Sequence, residues 1–543
     1  MYVRLVNCIV PIIVVLLKTT TINASTIYKV KDYGIFPDGR PIAEKLAKLT
    51  RTVSNSGGGI ILFDAGEYVF GAGLTKDSEP KGNVRLYSNV HYKGVKGTIL
   101  KANNTGRGFH DLFCTVDHSV KNVVFENITF ETYIGSRNRN KNDFRLAIIL
   151  HWCKNVKVRN CRFIHDIGTI DTRYSHIQTE KNGGVYRVDG LTIENCIFEA
   201  KLLRESGYRD ITSLGVCAQN VTIRNNIFVI FDRINKNEDK YYPNCCLELQ
   251  GKDMWIYGNT FQDYTNAIDF TNTDSFSGKR NINIYNNVIH CFRGIGIWCR
   301  DNWYARGLNI YNNTFIPACD NSDKRITGVK GCVVFVSHAT DSKEGNFLDI
   351  KITNNTFDYS KTKDYFQSLS YKKWISIPQH KFDEKNGVSF EEYYSVIALG
   401  GTSVVRKDIT INNNVFVGCV FPSIYIGGRN VSRSHKIIGN IFRNCGIDGR
   451  WPLIELTNRC SDVIIKNNKL EVENNLKERR VFFRAMWAGL ATKGFARERE
   501  CRFDNIVIKN NGVIDEKGEK RENLYSSDYT LLRKGNGNIY AKE

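Results

Sequence analysis

The sequence predicts an all-β solenoid, a stack of short β-coils in which each coil pairs with the next, and two observations carry that prediction. The first is a phrase that recurs along the chain: an alternating strand, two turn residues, one further residue, then an aromatic or aliphatic side chain. It reads Val124-Phe125-Glu126-Asn127-Ile128-Thr129-Phe130 and then Val158-Arg159-Asn160-Cys161-Arg162-Phe163. Aligned on the second turn residue, later copies place Cys196, then Asn226, Asn259, Asn287, Asn313, Asn355, Asn414, Asn440, Asn468 and Asn511. The second observation is the residue two places on: Phe130, Phe163, Phe198, Phe228, Phe261, Ile289, Phe315, Phe357, Phe416, Phe442 and Leu470. A unit of such short strands has nothing to cover its apolar face, so copies must stack, and the period-two alternation makes each copy a strand. Asparagine at one fixed position per coil suits a ladder in which each amide bonds the next. The aromatic column then forms an inner stack.

A globular chain of 543 residues usually divides into domains, whereas a solenoid lengthens by adding coils, so one domain is expected. Residues 1–24 read as a secretory signal peptide: Arg4 near the start, an apolar run through Leu17 cut short by Lys18, and Ala24 before Ser25. The run is too short for a comfortable membrane span, so no stable membrane insertion is expected, and the chain should be secreted, periplasmic or at a cell surface. Losing that leader removes two positive charges and no negative one from a formal net charge of +20. The remaining excess favours an anionic partner. Export makes that partner an acidic polysaccharide, while no zinc-finger, helix-turn-helix or RNA-binding signature points to nucleic acid. Of 16 cysteines, Cys8 leaves with the leader, and the odd remainder means at least one unpaired thiol. Cys161 and Cys196 fall on the ladder position of adjacent coils, where either a disulfide or two stacked thiols would fit. No CxxC or Cys/His spacing argues for zinc.

An open solenoid end needs a cover. Ile42, Leu46, Leu49 and Val53 have helical spacing, and Asn55-Ser56-Gly57-Gly58-Gly59 ends the run, so a capping helix is expected there. Ile60-Ile61-Leu62-Phe63 then reads as a buried strand and Asp64-Ala65-Gly66-Glu67-Tyr68 as a turn. The resulting organisation is a signal peptide (1–24), a cap with the first coil (25–70), the β-helix (71–474), and a last coil with a C-terminal cap (475–543). A helical piece is expected near 476–496, where the repeat is lost.

The stretch Val30 to Tyr68, with Asp32-Tyr33-Gly34, the three glycines, the buried strand and Ala65-Gly66-Glu67-Tyr68, resembles the N-terminal region of the pectin-lyase-like superfamily. The resemblance implies a right-handed parallel β-helix and a polysaccharide hydrolase, lyase or epimerase. It does not name the reaction.

Each coil also holds a second strand, and these set the outward face. Cys246-Leu247-Glu248-Leu249-Gln250, Ala267-Ile268-Asp269-Phe270-Thr271 and Gly294-Ile295-Gly296-Ile297-Trp298 have apolar second and fourth residues, which point inward, so the third and fifth point out. Continued through the later coils, one outward column holds Gly215, Glu248, Asp269, Gly296, Val334, Ala398, Tyr425 and Glu455. A parallel column holds Gln250, Thr271 and Trp298, joined by His151. Long insertions at about 164–188, 199–212, 229–244, 316–331 and 358–394 fall before this strand. Built on one side, they would wall a groove beside the acidic column and bring His165, Asp166, Asp171, Arg173, His176, Arg204 and Arg209 toward it.

Glu248 and Asp269 are the candidate catalytic pair. On adjacent coils their backbones lie about 4.8 Å apart, and two carboxylates that close do not both ionise freely, which prepares an acid beside a base or nucleophile. Glycoside hydrolysis asks for such a pair, with about 5–5.5 Å between carboxyls for retention and about 6.5–9.5 Å for inversion. His151, Gln250, Thr271, Trp298, Arg300 and Tyr425 are candidates for binding substrate, the aromatics by stacking on sugar rings. No cofactor or metal is expected of a hydrolase.

Among β-helix hydrolases, polygalacturonases carry Asn-Thr-Asp, Asp-Asp, Gly-His-Gly and Arg-Ile-Lys motifs. Asn272-Thr273-Asp274 matches the first and nothing supplies the others. The N-terminal half is loosely similar to the iota-carrageenases, whose Glu-x-Asp strand corresponds to Glu248-Leu249-Gln250, with Gln in place of Asp. One alternative is a polysaccharide lyase using a basic residue such as His151, with Ca²⁺ neutralising a uronate. Another is a non-catalytic carbohydrate-binding solenoid of the tailspike or adhesin kind. A monomer is expected in each case.

Overall fold

The computed structural model describes residues 26–540 apart from 72–81, 103–110, 116–118, 133–145, 166–168, 173–185, 202–210, 232–243, 265, 272–277, 292, 300–303, 318–331, 338–344, 362–394, 401–403, 428–431, 447–451, 458, 473–479, 487–501, 516–524 and 529–537. The expected leader therefore lies outside the described residues. The chain winds as a right-handed β-helix in which every recorded strand pairing is parallel, from Ile27–Lys29 on Gly59–Phe63 to Val507–Lys509 on Ile539–Tyr540. A 14-stranded sheet running from Gly66–Val69 to Gly512–Asp515 takes one strand from each coil. The other two faces of the coil merge into one 31-stranded sheet, because Ile211–Arg224 and Asn244–Tyr257 run unbroken through the bend between them. Among the described residues no helix is long and apolar enough to cross a membrane.

The two turn residues of the repeat have separate tasks. The first, such as Asn286, Asn312 or Asn354, is left-handed at φ 54°, 54° and 57°, a conformation that asparagine tolerates better than most residues. The second is buried and builds the ladder: Asn259 Nδ2 donates to Asn287 Oδ1 at 3.0 Å and Asn287 Nδ2 to Asn313 Oδ1 at 2.9 Å, and the chain of amides continues to Asn511. Each amide also accepts from the backbone N–H of the preceding coil and donates to a carbonyl, as Asn287 does with Asn259 and Ile256. Behind it the rings of Phe130, Phe163, Phe198, Phe228 and Phe261 stack 4.6–5.0 Å apart and nearly parallel. Ile289 interrupts the stack, which resumes from Phe315 to Phe442.

The capping helix spans Ala43–Asn55 and buries Leu46, Leu49, Thr50 and Val53. Tyr92 Oη and Thr50 Oγ1 lie 3.1 Å apart beneath it. Cys161 and Cys196 are stacked thiols, and all twelve described cysteine side chains are free and buried. Within the segment near 476–496 expected to hold a helical piece, Arg480–Met486 is instead a strand paired with Pro452–Thr457, and the rest of that segment lies outside the described residues. In-register pairing with the coil below provides backbone partners there, and coils continue past 474 to Tyr540.

His165 is likewise no loop residue. It ends the strand Arg162–His165, is fully buried, and lies 3.0 Å from Ser213 Oγ, which also contacts Tyr264 Oη at 2.8 Å. His435 is buried in the same way beside Ser432 at 2.7 Å. Burial pushes both imidazoles down to about 3.

Two predictions follow from these contacts. Asn287→Ala removes hydrogen bonds on both sides of the ladder and should cost about 2–4 kcal/mol, read by denaturant unfolding; a loss under about 0.5 kcal/mol would show that the ladder is not a stabilising element. The two histidines bind protons in the unfolded chain below about pH 6.5 but stay neutral in the fold until near 3. Their stabilisation is therefore complete above pH 6.5 and declines on acidification by about 1.4 kcal/mol per pH unit for each histidine. Between pH 6.5 and 5 the slope should fall in His165→Gln by the share of one histidine, and an unchanged slope would remove His165 from the effect.

Candidate functional site

The outward column is continuous in the structure. Strand pairing aligns Gly215 with Glu248, Glu248 with Asp269, Asp269 with Gly296, and onward through Val334, Ala398 and Tyr425 to Glu455. Glu248 and Asp269 are both half-buried, flanked by inward Leu247, Leu249, Ile268 and Phe270 that are wholly buried. The second column also holds: Cys217 aligns with Gln250, and Thr271 with Trp298.

Hydrogen bonds orient the acids. Gln250 Nε2 donates to Thr271 Oγ1 at 3.2 Å, and Thr271 Oγ1 donates to Glu248 Oε1 at 3.1 Å, a relay that fixes one face of the Glu248 carboxyl. Asn266 Nδ2 donates to Asp269 Oδ2 at 2.8 Å. Gln250 is 4% exposed, and its buried Oε1 has no hydrogen-bond partner, leaving a directed acceptor beside the acidic pair. Its place is set by Gly251, where a Cβ would lie 2.0 Å from the Ala218 carbonyl oxygen at φ 111°. Only glycine lets the strand turn there. The fully buried Arg280 donates to the Gly251 carbonyl at 3.0 Å from beneath.

Asp171 was not legible as a member of this column. Expected in a loop, it belongs to the two-residue strand Ile170–Asp171, aligned with Ile149 on one side and Gly215 on the other. Its signal was in the sequence: Thr169-Ile170-Asp171-Thr172 repeats the inward-outward alternation of Ala267-Ile268-Asp269-Phe270. His151 follows the strand Ile148–Leu150, and its backbone N–H donates to Thr115 Oγ1 at 2.7 Å. Its imidazole is held below the ordinary histidine value, chiefly by burial and further by Arg187, with the nearby Asp171 charge opposing. Arg187 itself lies over the Trp152 ring at 4.7 Å.

Tyr425 does not present a stacking face. It is 2% exposed, contacts Thr457 Oγ1 through its hydroxyl at 3.1 Å, and leans over Gly427, whose Cβ would meet that hydroxyl. It is also four ladder steps from Asp269, about 19 Å. Arg300, Asp166, Arg173, His176, Arg204 and Arg209 lie outside the described residues, as does the side chain of Trp298. The insertions leave and rejoin at a common corner, between the 14-stranded sheet and the acidic strands: Lys201 to Ile211, Phe231 to Asn244, and Pro317 to Val333.

Among solved structures the chain is similar to the tailspike protein of E. coli bacteriophage HK620. A variant in complex with a pentasaccharide matches with a TM-score of 0.57 at 12% identity, over 89% of this chain and 80% of that one. The tailspike protein itself with the pentasaccharide gives 0.56 at 12% identity over 90% and 80%. A double variant, altered at one aspartate and one glutamate, gives 0.57 at 12% over the same shares. The likeness establishes the fold. No protein-family model and no curated protein matches the sequence. The β-helix scaffold is thus shared along nearly the whole chain, while the side chains of the acidic column belong to this sequence.

Proposed function

We propose that the chain is a secreted glycoside hydrolase that cleaves an acidic or sulfated polysaccharide, with Glu248 and Asp269 as its carboxylate pair. The observation that carries this reading is their in-register placement on adjacent strands, with Thr271 and Asn266 each donating to one of them. Two acids one ladder step apart set a proton donor for the glycosidic oxygen beside a second carboxylate, the pair of groups that glycoside cleavage uses. Gln250 and Thr271 bind and orient beside them, His151 extends the substrate surface, and Trp298 and Arg300 remain candidates for binding from the same coil. A saccharide held by tailspikes of the same fold supports a saccharide here, and their altered aspartate and glutamate support acidic chemistry on this scaffold.

Replacement of either acid by its amide, Glu248→Gln or Asp269→Asn, preserves shape and removes proton transfer, so turnover should fall about 10²-fold or more while binding survives. Polygalacturonate, iota-carrageenan and an enterobacterial O-antigen polysaccharide are the substrates to screen, by reducing ends. No new reducing ends from any of them, or full turnover by both amide variants, would overturn the hydrolase. The neutral His151 imidazole beside Arg187 favours a second reading, a lyase with His151 as base. That reading requires products absorbing as unsaturated uronides and loss of activity in His151→Ala.

The net charge of +20 sets a further expectation. Retention on immobilised polygalacturonate should weaken steeply as salt rises from 50 to 500 mM, values chosen to shorten the Debye length from roughly 14 to 4 Å. Salt-independent retention, equal to that on neutral agarose, would remove the anionic character from the proposed substrate.

A further inference from the structure

We propose that Asp171 is a third carboxylate of this site and acts as the base that activates water, with the water held above Gly215 and Glu248 acting as the acid across from it. The inference rests on the hydrolase reading. It comes from one feature of the column: Asp171 aligns with Gly215, and Gly215 aligns with Glu248. The residue between the two acids therefore has no side chain. Each ladder step is about 4.8 Å, so the Asp171 and Glu248 backbones stand about 9.6 Å apart. With both side chains leaning over Gly215, such a backbone separation brings the carboxyls to about 6.5–9.5 Å, the range in which a water fits between them and a sugar. The Glu248 and Asp269 backbones, a single step apart, start from half that separation.

The segment bearing Asp171 is firmly placed despite its short strand. Thr172 N–H donates to the Gly215 carbonyl at 2.8 Å, and Thr172 Oγ1 accepts from Cys217 N–H at 2.6 Å. Asp171 is 3% exposed, and its charge reaches His151 on the neighbouring coil. On the other side, Asp269 stands one ladder step from Glu248. Thr271 holds the Glu248 carboxyl in one orientation.

The step balances within these groups. Asp171 takes a proton from water as the water oxygen bonds to the anomeric carbon. The bond from that carbon to the glycosidic oxygen breaks, its electron pair stays on that oxygen, and Glu248 supplies the proton that completes the leaving hydroxyl. Glu248 ends ionised and Asp171 protonated, and exchange with solvent resets both. Attack from the face opposite the leaving group inverts the anomeric centre.

The experiment uses the full chain and whichever of the three screened polysaccharides it cleaves. Proton NMR at early times should show the inverted anomer. Asp171→Asn should lower kcat by about 10²-fold or more with KM within a few-fold. Asp171→Ala should be partly rescued by azide, which needs no base, giving a glycosyl azide of inverted configuration. The His151 titration, followed by NMR, should move further down in Asp171→Asn, since the opposing charge is gone. Gly215→Ala, which adds a methyl group at the position between the acids, should also lose turnover and covers the case in which the Asp171 variants do not fold. A retained anomer, or Asp171→Asn or Gly215→Ala turning over within threefold of the parent, would overturn the role of Asp171 while leaving the Glu248–Asp269 pair in place. If the chain cleaves none of the three, or Glu248→Gln keeps its turnover, the hydrolase itself falls and this inference with it.

Discussion

The in-register parallel pairing of each coil with the next is the constraint on which everything else in this molecule depends. A strand displaced by one residue turns every inward side chain outward, so register must be pinned in each coil independently. The buried asparagine does this. Its amide accepts from the backbone N–H and the amide of the coil before it, and donates to the coil after it, as Asn313 does between Asn287 and Asn355. A slip in one coil would strand several buried polar groups at once, each costing about 1–3 kcal/mol. The phenylalanine stack adds a large apolar contribution that is less particular about register, since a ring can shift and still pack. Amides thus decide where the coils align, and rings supply much of the burial that holds them together.

Once register is pinned, side chains from distant parts of the sequence fall into columns, and this explains how much was readable beforehand. Glu248 and Asp269 were brought together correctly because each sits between two apolar inward residues, and that local alternation is the information that the register uses. Gln250 and Thr271 followed by counting two residues on. Asp171 escaped because its strand is only two residues long and is bounded by segments without the repeat. His165 looked like a loop group for a similar reason, though it ends a strand and faces inward to Ser213. Tyr425 was assigned to the right column, but alternation cannot show that the ring folds over Gly427 and is buried. At 480–486, the loss of the repeat suggested a helical cap, while the strand below offered backbone partners. Length of alternation is what separates the successes from the failures.

The polar contacts show a division between structural and functional faces. Inside the coil, the Asn ladder and the Ser213 contacts with His165 and Tyr264 are buried and paired, while His165 Nδ1 and His435 Nδ1 are buried with no hydrogen-bond partner among the described residues. A serine beside a histidine there resembles a nucleophile with its base, but both are fully buried and the imidazole stays neutral to about pH 3. On the outward face Gln250 is likewise nearly buried with an acceptor oxygen that has no hydrogen-bond partner among the described residues, next to a relay that ends on a carboxyl. An unsatisfied buried acceptor costs stability, and a donor arriving with a ligand would remove that cost.

A ladder also quantises the chemistry that can be built upon it. Side chains in one column can be separated only by whole steps of about 4.8 Å, so the distance between two acids is selected by which coils carry them and what lies between. Adjacent coils give a close pair, as Glu248 and Asp269 are; a glycine between two acids gives a wider pair with no side chain between them, as Gly215 does between Asp171 and Glu248. A three-acid column with one glycine therefore offers both spacings around a single central carboxyl. Substituting one outward residue changes the geometry by a full step without disturbing the inward Leu and Ile that hold the coil. This separation is compatible with a scaffold shared at 12% identity, and it is why the column, and not the fold, has to carry the functional argument.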